Sequence, residues 1–193
     1  MVAEADFCIP LASPQRELRC AGPFGRNTVR IVLMKPEIRS GDLLDQDVDV
    51  IVNAWNRNVL PWWLLVPQGV SGAIRRRAGS APFREVFRLG PIRCGGGVLT
   101  GAGRLPYRGI IHVAGIDLLW RASEQSVRDG VLSAMALVTR HRFASVAFPM
   151  IGSGTGGLDE SVALRVMIDT FSGVNSSSVA IIAAINRYPR DEP

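Results

Sequence analysis

The sequence predicts an α/β fold with a layered, mostly parallel sheet. Three observations carry that reading. Short runs rich in Val and Ile recur along the chain, helical patterns alternate with them, and several runs end in glycine-rich or polar loops. The length agrees, since 193 residues suit one domain with an extension. A chain of this size buries roughly 70% of its unfolded surface, so no disulfide or metal staple is needed.

Residues 1–27 show no clear period and carry Pro10, Pro14 and Pro23, so they read as an extension, with the domain at 28–193. "TVRIVLMK", from Thr28, alternates and predicts the first strand. "VDVIVNA" (Val48–Ala54) is a continuous β-branched run, the pattern of a central strand covered on both faces. A helix is expected from about Ser71 to near Gly79. "GVLTGAG" and "GIIHVAG" (Gly109–Gly115) predict two further strands. Ser123 then opens a long amphipathic helix with Val127, Val131, Leu132, Met135 and Val138 on one face. "SVAFPM" (Ser145–Met150) is another buried strand, Ser161–Phe171 is helical, and "SSVAIIAAI" (Ser177–Ile185) is the last strand. No internal repeat is visible.

Composition narrows the function classes. Residues are 47% apolar and 20% charged, a balance that suits an ordinary globular domain. The longest apolar run, Val59–Val66, is broken by Pro61 and is too short to span a bilayer, so no membrane association is expected. No signal peptide is expected either, because no apolar stretch with a cleavage site opens the chain. Cys8, Cys20 and Cys94 are odd in number and lack metal-ligand spacing, which reads as reduced thiols in a cytoplasmic protein with no metal and no cofactor. The net charge of +5 rests on arginine, Lys35 being the only lysine. Arginine forks suit phosphate-containing partners, although these arginines are not confined to one stretch.

In open α/β sheets, ligands bind beyond the carboxyl ends of the strands. "NAWN", "HVAGID" and "IGSGTGG" follow three such ends. Gly152, Gly154, Gly156 and Gly157 allow the backbone to approach a ligand and aim N–H groups at an anion. A helix start near Gly69–Gly72 offers a second set. Two such loops suit a diphosphate. The glycines of the later loop lie near the end of the sheet, where a dinucleotide-fold fingerprint does not belong, and no Walker-type motif is present.

Taken in order, "GDLL" (Gly41–Leu44), "VDVIVNAWN" (Val48–Asn56), "QGVSGAI" (Gln68–Ile74), "IIHVAG" (Ile110–Gly115) and "AFPMIGSGTGGLD" (Ala147–Asp159) resemble a macrodomain, the ADP-ribose-binding module, over roughly 28–188. The resemblance implies a three-layer α/β/α sandwich with a mixed, mostly parallel central sheet. It implies ADP-ribose as ligand and an ADP-ribosyl hydrolase as activity, acting on mono-ADP-ribosylated protein or nucleic acid. It also implies residue roles. Asp42, with Leu43 beside it, matches the acid that takes the adenine amino group. Asn56 matches the asparagine on the distal ribose, and Asn53 braces the loop. Gly69 and Val70 match the first diphosphate loop, and Gly152, Ser153, Gly154, Thr155, Gly156 and Gly157 the second. Arg187 or Tyr188 would cover the adenine face.

The departures from the family pattern bear on catalysis. Ser71 stands where many hydrolytic members carry an acid, and a lone serine is a poor general base, although it suits a helix cap. Asp159, the nearest acid in the second loop, reads as a helix cap, and His112 as a satisfied core histidine. The expected route is therefore a water held by Asn56, Gln68 and the Gly69 backbone, with the substrate supplying the base. A non-catalytic reader of ADP-ribose is the alternative. A monomer is expected. Trp62 and Trp63, in the connector before Gln68, read either as a hydrophobic brace or as an aromatic on the acceptor side.

Overall fold

A computed structural model describes residues 34–59 and 69–184. Six strands form one sheet: β1 (Glu37–Ser40), β2 (Val50–Trp55), β3 (Gly97–Thr100), β4 (Gly109–Ala114), β5 (Ser145–Pro149) and β6 (Val179–Ala184). Their spatial order is β1-β6-β5-β2-β4-β3, and every neighbouring pair is parallel except β3 with β4. The helices are α1 (Gly69–Ala78), α2 (Ala81–Arg88), α3 (Glu124–His141) and α4 (Glu160–Phe171). This is the mixed, mostly parallel α/β/α sandwich.

The pleat sends alternate strand residues to opposite layers. Val50 and Val52 of β2, with Ile111 and Val113 of β4, join the core under α3 and α4. Ile51 and Trp55, with Ile110 and Ala114, join the core under α1 and α2. Asn53 and His112 share the parity of the second set, and the register pairs them directly. A buried polar pair thus lies in the α1–α2 layer, with Trp55 and Phe83 in edge-on contact with the His112 ring.

The "TVRIVLMK" run lies mostly outside the described residues, which begin at 34; the first described strand is Glu37–Ser40. Among the described residues it lies at the edge and pairs through its backbone with β6, and all of its side chains are exposed, so it needs no apolar pattern. Leu132 is 46% exposed, because it lies five residues after Val127 and off the 3.6-residue face that Val131, Met135 and Val138 share. Helix α2 has no counterpart in the sequence reading. It begins with a Pro in its first turn and buries Phe83 and Val86.

Candidate functional site at the carboxyl edge of the sheet

The parallel strands β1, β2, β4, β5 and β6 end on one edge. Ser40 is in register with Ala184, Ala183 with Pro149, and Trp55 with Ala114. The segments bearing Asp42, Asn56, Gly115 and the loop after β5 therefore emerge on the same side. Gly115 N–H donates to Trp55 O (3.1 Å), which joins the ends of β2 and β4.

The loop after β5 is held by its own backbone. Gly157 N–H donates to Gly154 O (3.1 Å), Leu158 N–H to Gly152 O (3.1 Å), and Ala122 N–H to Gly156 O (2.9 Å). Gly152 has φ +88°, and a Cβ there would sit 2.9 Å from Ala122 Cβ. A Cβ on Gly156 would lie 2.7 Å from both Ala122 Cβ and Gly152 O. Glycine is required at these two positions, by conformation at the first and by close approach at both. At Gly154 a Cβ would meet open space. Among the described residues, no acceptor takes the N–H groups of Ser153, Gly154, Thr155 and Gly156. The Ser153 hydroxyl donates to Met150 O (3.2 Å). Asp159 caps α4, accepting from Ser161 and Val162 N–H, and the Ser161 hydroxyl bond holds its carboxyl below the usual range. Its carboxylate is committed to the helix start.

On the other side, α1 begins at Gly69, two residues earlier than the sequence indicates. Ser71 does not cap it. Its hydroxyl donates to Asn53 Oδ1 (2.7 Å) and approaches Ala54 O (3.3 Å), so the first turn of α1 is fastened to the end of β2. Gly69 is exposed with φ +56°, and Val70 packs against the α1–α2 core. Asn53 is fully buried, and its other amide end lies 3.1 Å from His112 Nδ1. His112 Nε2 is 2.9 Å from Thr100 Oγ1. Burial pushes the His112 pKa down to about 3, so the ring is neutral.

Asn56 follows β2 and is half-buried. Its Oδ1 accepts Asn58 N–H (2.7 Å), which leaves the Nδ2 hydrogens without an acceptor among the described residues. Asp42 caps a 3-10 turn, accepting Leu44 N–H (2.8 Å), and its second oxygen lies 3.6 Å from Arg77. The Leu43 side chain is fully buried, so only its backbone can face a ligand. Gln68, Arg187, Tyr188, Trp62 and Trp63 lie outside the described residues.

Two structural features of the site escaped sequence reading. Asn58 is buried with φ +55°, and its Nδ2 donates to Val86 O and Gly90 O (2.8 Å each), tying the Asn56 loop to α2. The segment before α3 packs Ile116 and Ala122 against the second glycine loop. Asp117 Oδ1 accepts from Leu119 and Arg121 N–H there, and Leu118, Leu119 and Trp120 are exposed. No three His, Cys, Asp or Glu side chains converge to hold a metal among the described residues, and no described helix is long and apolar enough to cross a membrane.

Backbone donors without acceptors, gathered at the carboxyl edge of a parallel sheet, define an α/β/α module suited to an anionic ligand. The comparisons give that class its family. The Macro domain family model matches residues 52–167. The O-acetyl-ADP-ribose deacetylase of Escherichia coli (strain K12) is 35% identical over 140 residues, covering 68% of this chain and 75% of that protein. A variant of the Oceanobacillus iheyensis macrodomain, solved with ADPR, has TM-score 0.64 and 25% identity, covering 77% of this chain and 83% of that one. The macrodomain of Mycobacterium tuberculosis DarG shares the fold, with TM-score 0.64 at 21% identity over 78% of this chain and 99% of that one. The chain belongs to the macrodomain family.

Proposed function

We propose that this protein binds ADP-ribose across the two loops and hydrolyses the bond between C1″ of the distal ribose and its acceptor, a protein side-chain carboxylate or a nucleobase. The observation that carries the reading is the run of N–H groups from Ser153 to Gly156 after β5, at the same carboxyl edge of the sheet as Asn56 after β2, with the start of α1 fastened to the end of β2. Those donors suit a diphosphate. The Asn56 amide, with Nδ2 available, suits a ribose hydroxyl or a water. Relatives support the ligand, since one macrodomain was solved with ADPR and another protein is named an O-acetyl-ADP-ribose deacetylase.

The chemistry proceeds without a dedicated carboxylate base. Ser71 is buried and gives its hydrogen to Asn53, and Asp159 caps α4. A water held by Asn56 and the Gly69 carbonyl attacks C1″ of the distal ribose as its bond to the acceptor breaks; a diphosphate oxygen takes the water proton, and the acceptor leaves with the bonding electron pair, as a carboxylate when it is a side-chain acid. The family resemblance adds Gln68, which lies outside the described residues, as a further polar group for that water. When the acceptor is a side-chain carboxylate, the bond is an ester, the same bond class that the name of the E. coli relative describes. Asp42 receives the adenine amino group, as the family resemblance implies, and the cover for the adenine face falls to Arg187 or Tyr188, both outside the described residues.

A substrate panel tests the reading. O-acetyl-ADP-ribose, a protein ADP-ribosylated on glutamate and an ADP-ribosylated oligonucleotide are incubated with the protein, and free ADP-ribose and acetate are measured. Release from the glutamate-linked substrate is expected, and Asn56→Ala should abolish it. Release from the oligonucleotide alone would make a nucleobase the acceptor. Tight ADP-ribose binding with no release from any of the three would leave a reader and sink the hydrolase. Asp42→Ala should weaken ADP-ribose binding by about 1–3 kcal/mol, the scale of a hydrogen bond to a charged group.

A further inference from the structure

The polar groups buried in the α1–α2 layer form one chain that crosses three strands. Ser71 Oγ lies 2.7 Å from Asn53 Oδ1, Asn53 Nδ2 lies 3.1 Å from His112 Nδ1, His112 Nε2 lies 2.9 Å from Thr100 Oγ1, and Thr100 Oγ1 lies 3.1 Å from Gly101 O. All four side chains are at most 7% exposed.

The chain has one favoured direction. Gly101 O can only accept, so Thr100 gives its hydroxyl hydrogen outward and receives from His112. The imidazole then carries its hydrogen on Nε2, and Nδ1 accepts from the Asn53 amide. Asn53 Oδ1 in turn accepts from Ser71. The reverse direction would flip the Asn53 amide, so that its N–H met Ser71 at 2.7 Å and the Ser71 hydrogen went to Ala54 O at 3.3 Å. The shorter distance is the usual length for a hydroxyl donor and the lower limit for an amide N–H, and the longer one makes a poor hydroxyl bond. Geometry selects the first direction.

The chain ends between the two segments that flank the site. Asn53 is three residues before Asn56, and Ser71 is two residues after Gly69. We infer that His112 and Thr100 are positioning residues for the first ligand loop: by fixing the direction of Asn53 they hold Ser71, and with it the first turn of α1, at a set distance from the Asn56 end of β2. The inference rests on the ADP-ribose reading for the identity of the ligand. Neither residue touches that ligand. Their effect on binding would pass through Asn53 and Ser71.

The test compares two buried hydroxyls of like environment. Thr100→Val removes the acceptor on His112 Nε2. Thr170→Val removes a hydroxyl that donates to Val166 O in the last turn of α4, at the other end of that helix from the second loop. Nitrogen-15 spectra report the His112 tautomer, assigned with the help of His141→Gln because the protein has 2 histidines. ADP-ribose affinity is measured by calorimetry well below each variant's unfolding temperature.

The wild type should show Nε2–H. Thr100→Val should mix the tautomers and weaken ADP-ribose binding by about 3–10-fold, the range that one hydrogen bond spans. Thr170→Val should leave both unchanged. A wild-type Nδ1–H form would overturn the proposal, as would Thr100→Val with altered tautomers but unchanged affinity. Lost affinity in Thr100→Val with the tautomer retained would overturn it too. Failure of the wild type to bind ADP-ribose would instead remove the reading beneath it, and it shows before any variant is compared.

Discussion

The two loops proposed to hold ADP-ribose are held in place by different means. Around the first, side chains do the holding: Ser71, Asn53, His112 and Thr100 join α1 to the interior of the sheet. Around the second, the backbone does it, through Gly157 N–H, Leu158 N–H and Ala122 N–H, with glycines that admit close packing against Ala122. A loop that opens a helix over a parallel sheet has a buried strand beneath it, and polar side chains can reach through that layer. A loop folded on itself at the sheet edge has only its own carbonyls and its neighbour. The first loop should therefore be sensitive to what is removed from the core, and the second to what is added to its backbone.

The largest effect should come from Asn53→Ala. It strips Ser71 and His112 of partners in a dry layer, each loss costing about 1–3 kcal/mol. Urea unfolding should show the two costs together, and a loss below 1 kcal/mol would mean that water fills the gap. Gly156→Ala should follow. Its Cβ would meet Ala122 Cβ and Gly152 O at 2.7 Å, and overpacking of this kind costs about 1–3 kcal/mol. ADP-ribose binding should fall with it, because the loop must shift to relieve the contact. Gly154→Ala is the counterpart, since its Cβ meets open space, and stability within about 0.5 kcal/mol of wild type is expected there. Equal penalties at the two glycines would break the packing account of the second loop.

Acid sharpens the comparison. His112 is held to a pKa of about 3 by burial, below its ordinary value. Between roughly pH 6.5 and 3 the unfolded chain binds a proton that the native ring refuses, so stability falls as pH drops. The contribution of this group is at most about 1.4 kcal/mol per pH unit. Urea midpoints from pH 7 to 4 should decline more steeply for wild type than for His112→Gln. Parallel declines would mean that other groups carry the acid sensitivity.

Much of the strand pattern was legible, because a strand covered on both faces must be apolar throughout. Val50–Trp55 and Gly109–Ala114 answer to the runs that predicted them. The glycine loop after β5 was legible as well, since clustered glycines have few other uses. Helix α2 and the edge strand β1 were not. The first is short and carries a proline in its first turn, and the second is held by backbone bonds that leave no side-chain pattern. The role of Ser71 was hidden for another reason. A serine near a helix start reads as a cap, and only the position of Asn53, 18 residues earlier, shows that the hydroxyl turns inward.

The sequence by itself determined the layer order, the edge at which loops gather and the family to which the chain belongs, because periodicity and motif order are properties of the chain. Tertiary structure decided which polar residues meet. Asn53 and His112 are paired by a parallel register between strands 59 residues apart. His112 meets Thr100, and Asn53 meets Ser71, only because β3 and α1 pack where they do. Hydrogen-bond direction depends on distances among all of these groups at once, and no local stretch of sequence contains that information.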